Sequence, residues 1–185
     1  MRFAAVLAFV GAMLVWSAAP AHAQWRGYVS RDLGFSFHAP GEIIAGRGTY
    51  NAFRSGEHPT IVYRSVVDDI EYKILVTDFR DRADEGANLL VEAAFTFRED
   101  QDVLMGEYIR IDDSFGLRTT INLPENGGRS MGSFHFNNGY LYQVFATVFP
   151  ANGDFASPFV GRFVDSFALG AAEINEGVIE LSLPD

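Results

Sequence analysis

The chain has no cysteine among its 185 residues. Disulfides and thiolate metal sites are thereby excluded, and so is the lipid anchor that bacteria attach to a cysteine behind an export leader. Basic residues are scarce as well: 14 Lys and Arg stand against 24 Asp and Glu, a formal charge of −10. Nucleic acid and anionic lipid surfaces both demand a basic face, so neither is an expected partner. Histidine is nearly absent, with four in all. His22 lies close to the start, and His38, His58 and His135 are left to carry any Ser-His-acid or zinc chemistry. No two of these stand at a metal-ligand spacing, and no Gly-x-Ser-x-Gly elbow presents a nucleophile. Each is read as a surface or sheet-edge histidine. The glycine-rich spots, Gly46-Arg47-Gly48 and Gly127-Gly128, do not join a strand to a helix as phosphate-binding loops do. No catalytic residue and no cofactor is assigned.

Long apolar runs are missing too, with one exception. Arg2 opens a nearly unbroken apolar run from Phe3 to Trp16, and Ala21-His22-Ala23 supplies the small-x-small pattern that signal peptidase requires. Residues 1–23 are therefore read as a secretory signal peptide, cleaved between Ala23 and Gln24. The run approaches the ~18 residues of a membrane-spanning helix, but Pro20 and the Ala-x-Ala end favour removal over a retained anchor. The remaining 162 residues carry a formal charge of −11, because the leader holds one basic and no acidic residue. That length fits one domain with an adequate core, expected to be soluble in the periplasm or outside the cell.

Beyond the leader the dominant period is two. In Gly34 to Pro40, Phe35 and Phe37 point one way and Ser36 and His38 the other; Tyr28-Val29 is the short partner strand of a first hairpin. Strands are predicted at Thr49–Arg54, Ile61–Val67 and Ile70–Phe79, the last two joined by Asp68-Asp69. From Glu85 to Arg98 the period becomes helical, with Ala87, Leu90, Val91, Ala94 and Phe95 as the apolar stripe behind a run of acids. Four further strands follow at Leu104–Ile111, Gly116–Leu123, Arg129–Phe136 and Tyr140–Phe149, in an antiparallel meander whose Asn138-Gly139 connection is a strong hairpin signal. The last of them is apolar on both faces and is placed centrally. Ser157-Pro158 starts a closing helix with Ala156, Phe159, Val160, Phe163, Val164 and Phe167 on one stripe. The fold class is α+β, a mostly antiparallel sheet covered by helices.

Acids cluster at turns and helix ends, where Asp caps backbone N–H groups and stays solvated. None of the clusters has the EF-hand pattern. Asp78, Asp81 and Asp84 are the weak metal candidates, the set to which Ca²⁺ is assigned if the chain holds one.

The early "GFSFHAPGE" hairpin, the sheet interrupted by one helix, the "YLYQVFATVF" strand and the closing "GRFVDSF" helix together resemble the PsbP-like α-β-α sandwich. That family includes extrinsic photosystem II subunits and many bacterial exported proteins. The similarity spans Trp25 to Leu169 and rests on aromatics and turns. It implies a noncatalytic accessory domain that docks on a larger protein, here an envelope protein partner; no family site residue carries over. A small apolar ligand or Ca²⁺ is the alternative cargo, and a hydrolase ranks last. The domain is drawn as 24–169, and 170–185 as a tail in which Ile179, Leu181 and Leu183 alternate with Glu180 and Ser182 as a possible extra strand.

Overall fold

A computed structural model describes residues 24–170 and 177–184. The leader lies outside the described residues. Two sheets form. The larger has seven strands in the order β3-β4-β5-β9-β8-β7-β6: β3 (Ile44–Ala52), β4 (Gly56–Val67), β5 (Ile70–Asp78), β6 (Asp102–Ile111), β7 (Ser114–Asn122), β8 (Arg129–Asn137) and β9 (Tyr140–Val148). Every pairing in it is antiparallel. Two consecutive meanders, β3 to β5 and β6 to β9, meet where β5 pairs with β9, which makes β9 the central strand. Its two-sided apolar pattern has the expected cause: all residues from Leu141 to Val148 are buried. The turns follow the sequence chemistry, since Asn138 and Gly139 take φ 50° and 80°, and Asp68 and Asp69 take 51° and 55°.

The first hairpin, β1 (Trp25–Ser30) with β2 (Phe35–Pro40), does not join the large sheet. It forms a second, four-stranded sheet with β10 (Ala168–Leu169) paired to β2 and β11 (Val178–Glu180) paired in parallel to β1. This sheet lies beside the closing helix α2 (Pro158–Asp165) on one face of the large sheet. Tyr28, Phe35, Phe37 and Ala39 from the hairpin and Val160, Phe163 and Val164 from α2 bury against Tyr72, Ile74, Val76, Tyr142, Val144 and Ala146. The Tyr142 hydroxyl donates to the Leu33 carbonyl at 2.6 Å, tying the hairpin turn to the central strand. A sheet covered by helices is thus an overstatement. The alternation of the early hairpin gives it an apolar face of its own, and that face does part of the covering.

Helix α1 (Gly86–Arg98) packs on the opposite face through Leu89, Leu90, Ala93 and Ala94 against Leu141, Phe145 and Phe134. This corrects the expected stripe: Leu90 and Ala94 are shared, but Val91 and Phe95 face outward. Gly86 fixes the rotation, because a Cβ there would meet the Phe136 ring at 2.3 Å. The acids ahead of α1 do not cap it. They lie in short 3₁₀ turns over Arg80–Glu85, where Arg82 holds Glu85 through bonds of 2.9 and 2.7 Å. The closing stripe holds at its centre, with Val160, Phe163, Val164 and Phe167 buried and Phe159 half-buried, but Ala156 is exposed ahead of the helix and is no part of it. After β11, the Leu181 amide donates to the Val29 carbonyl at 2.8 Å, and its side chain joins the core shared by the two sheets.

Candidate functional site

The three histidines fall into different environments. His38 is exposed on β2, where its backbone N–H donates to the Ser166 hydroxyl. His58 is half-buried; its ring lies 4.7 Å from that of Phe79, and its Nε2 is 3.1 Å from the Ser55 hydroxyl. His135 contradicts the surface reading, being fully buried. It alternates away from Phe134 and Phe136 as the sequence requires, but the face it points to is covered as well, and Phe167 from beyond α2 stacks on it at 5.4 Å. Burial, reinforced by the Arg118 charge, lowers its pKa to about 4, so it is neutral at ordinary pH. Its Nε2 is 2.7 Å from the Ser133 hydroxyl. This pair is not a hydrolytic dyad: both residues have no exposure, and no carboxylate reaches Nδ1. A serine that substrate cannot reach performs no acyl transfer.

The acidic candidates are not brought together. Asp78 is engaged by Arg80, whose guanidinium holds both carboxylate oxygens at 2.6 to 3.1 Å and, through these bonds, keeps its pKa below the usual carboxylate range. Asp81 and Asp84 are exposed in the 3₁₀ segment. Among the described residues, no three His, Asp or Glu side chains gather in a metal-holding cluster.

A cleft of about 560 Å³ opens between the tip of the β3–β4 hairpin and the outer face of α1. Phe53, Leu89, Val91 and Phe95 give it apolar surface, and Arg54, Arg82, Glu85 and Asn88 form its polar edge. The Phe53 and Phe95 rings lie 4.8 Å apart. Glu92 shapes the cleft by latching the hairpin to the helix: it accepts from the backbone N–H groups of Arg54 at 2.5 Å and Ser55 at 2.7 Å and from the Ser55 hydroxyl at 3.0 Å. Burial alone raises its pKa; these donors outweigh burial and hold it below the usual value. The sequence stripe had spent Val91 and Phe95 on the core, so this cleft was invisible until the helix rotation was known.

The second feature is β6, an edge of the large sheet. Val103, Leu104, Met105, Tyr108 and, just past the turn in β7, Phe115 are all exposed, Tyr108 by 82% and Phe115 by 65%. Helix α1 sits over β7, β8 and β9 and stops short of β6. A bulge at Leu104 interrupts the register with β7, and from Met105 to Ile111 the pairing is regular. One side of β6 pairs with β7, and among the described residues no strand pairs with the other row of backbone N–H and C=O groups. Arg118 joins this wing to the body: it is ion-paired with Glu107 of β6 at 3.4 Å and with Asp165 of α2. Sequence places a strand here but cannot tell an edge from an interior; the charged Glu107 and Arg110 with Gly106 between apolar neighbours were the available signal.

No family model and no curated protein matches the chain. Among solved structures, it is similar to the solution structure of cyanobacterial PsbP (CyanoP) from Synechocystis sp. PCC 6803, with a TM-score of 0.51, 14% identity, and coverage of 83% of this chain and 95% of that one. The fold is PsbP-like.

Proposed function

We propose that this chain is an exported, noncatalytic accessory domain whose task is to dock on a protein partner of the cell envelope. The observation that carries this reading is the exposed apolar wing of β6 and Phe115, which holds the two most exposed aromatics among the described residues, Tyr108 and Phe115. Surfaces of this kind mark interaction sites more often than catalytic ones. The PsbP-like fold supports it, since the family resemblance implies an accessory role, and the Ser133–His135 pair is closed to any substrate. Export rests on the leader of residues 1–23 and its Ala21-His22-Ala23 end.

A second reading is favoured by the cleft at Phe53 and Phe95, whose volume suits a small apolar ligand. Affinity capture from the native envelope, with the chain from Gln24 onward as bait, separates the two. A stoichiometric protein partner supports docking; bait that comes down alone but carries a lipid or other small molecule supports the cleft.

A further inference from the structure

We infer that the free edge of β6 accepts an extended segment of a protein partner by strand addition, and that this segment has an apolar centre flanked on both sides by basic residues. The inference deepens the docking reading above and rests on it.

Three observations carry it. The first is the backbone: among the described residues no strand pairs with the outer side of β6, where alternate residues from Met105 to Ile111 turn their N–H and C=O groups outward along about 23 Å at ~3.3 Å per residue. Only another strand satisfies such a row along its length. The second is the side chains beside it. Tyr108 and Met105 lie on opposite faces of the sheet, since Tyr108 pairs with Leu117 and Met105 with Thr120, so an added strand gains apolar contact above and below.

The third is charge, and it selects the occupant. Glu99, Asp100 and Asp102 stand at one end of β6, and Asp112 and Asp113 at the other. Arg110 offsets Asp113 at 3.5 Å and Arg118 takes Glu107, while among the described residues no cation pairs with Asp100, Asp102 or Asp112. A second copy of this chain, laid antiparallel on β6 about Gly106, would set Asp100 against Asp112 and Glu99 against Asp113, with only Asp102 meeting a cation, Arg110, in a molecule that already carries excess negative charge. Like charges across a strand pair are destabilising. A segment with lysine or arginine at both ends meets the same acids favourably. The strand keeps partial edge protection in the Leu104 bulge and in Glu107 and Arg110, which disfavours indiscriminate pairing and leaves the charge pattern to choose.

The test uses a fluorescent synthetic peptide of about eleven residues, long enough to span the row, with alternating valine and threonine between paired lysines. A matched peptide carries glutamates in their place. Binding to the chain from Gln24 onward is read by anisotropy, and the site by backbone amide exchange. The lysine peptide is expected to bind at least about ten-fold tighter than the glutamate peptide at low salt, to weaken as salt rises, and to protect the alternate amides between Met105 and Ile111 that do not already donate to β7. Tyr108→Lys is expected to lower affinity at least about ten-fold. Replacing Asp100, Asp102, Asp112 and Asp113 together by Asn, which tolerates the positive φ of Asp100 and Asp112, is expected to abolish the preference for lysine. Circular dichroism confirms that both variants are folded. Equal binding of the two peptides, protection outside β6, or dimers that shield β6 without peptide would overturn the inference. Capture of the same envelope partner by the unmodified and the Tyr108→Lys chains sinks this inference and leaves docking standing; absence of any partner for the unmodified chain sinks docking itself.

Discussion

Truncating Phe163 to alanine tests the assignment of α2 as the helix that seals the core shared by the two sheets. The ring has no exposure and meets Phe37 and Tyr72 edge-on, with centroids 5.9 and 5.2 Å away. Removing a buried phenylalanine costs about 3–5 kcal/mol through lost transfer energy and the cavity left behind. The two ring pairs, each worth ~0.5–1.5 kcal/mol beyond area, place this site toward the upper end, about 4–5 kcal/mol. With a urea m-value of ~2 kcal/mol/M, the midpoint should fall by about 2 M. Arg162→Ala is the control one position round the helix. Its guanidinium lies 4.1 Å over the Trp25 ring on an exposed face, and losing that contact costs about 0.5–1 kcal/mol. Trp25 is the one tryptophan from Gln24 onward and packs against Tyr72 and Phe159, so its fluorescence reports on this layer. Urea melts of the chain from Gln24 onward, followed by fluorescence and circular dichroism together, give both values. Equal midpoints, or Arg162→Ala the more damaging, would refute the packing of α2.

His135 makes stability depend on pH. Its folded pKa is depressed to about 4 while the unfolded value is the ordinary one, so its contribution is complete above about pH 6.5 and is lost as pH falls toward 4, up to about 3 kcal/mol. His135→Gln, which keeps a hydrogen-bonding group near Ser133, should flatten the stability profile over that window in denaturant titrations at a series of pH values; an unchanged slope would assign the loss to other groups. Mass spectrometry of the extracytoplasmic fraction should find the chain beginning at Gln24, and a product retaining residues 1–23 in the membrane would contradict export. A chain ending at Leu169 should still fold cooperatively while losing about 2–3 kcal/mol, the burial of Leu181 together with the β1–β11 ladder; complete failure to fold would place the tail at the centre of the core.

Much of the fold was legible because local signals agreed. Asn138-Gly139, the two-sided apolar run of β9 and the stripe on α2 each named one structure and no other. What sequence missed shares one cause, that a period reports spacing without reporting what lies opposite. His135 alternates as a surface residue does, yet the small sheet and α2 close over its face. The apolar arc of α1 is wide enough to allow two rotations, and the choice was made by Gly86 against Phe136, a contact between segments far apart in sequence. The start of β3 was drawn too late, at Thr49 rather than Ile44, because Gly46 and Gly48 weaken the strand signal. The cleft and the free edge depend on these same tertiary choices, so neither was visible in the sequence.

The pairing of β1 with β11 has a consequence for the order in which the molecule is made. Strands from opposite ends of the chain lie side by side in the small sheet, with β10 completing its other edge. A polypeptide delivered N-terminus first therefore presents its opening hairpin long before the segments that flank it exist. The two meanders of the large sheet can form in the meantime from neighbouring hairpins, which close over short separations, and join when β9 reaches β5. Until α2 and the last strand arrive, Phe35, Phe37 and Tyr28 have only the bare face of that sheet to rest on. The layer written first is the layer finished last, and the window in between is when this chain is most exposed to proteases and to mispairing.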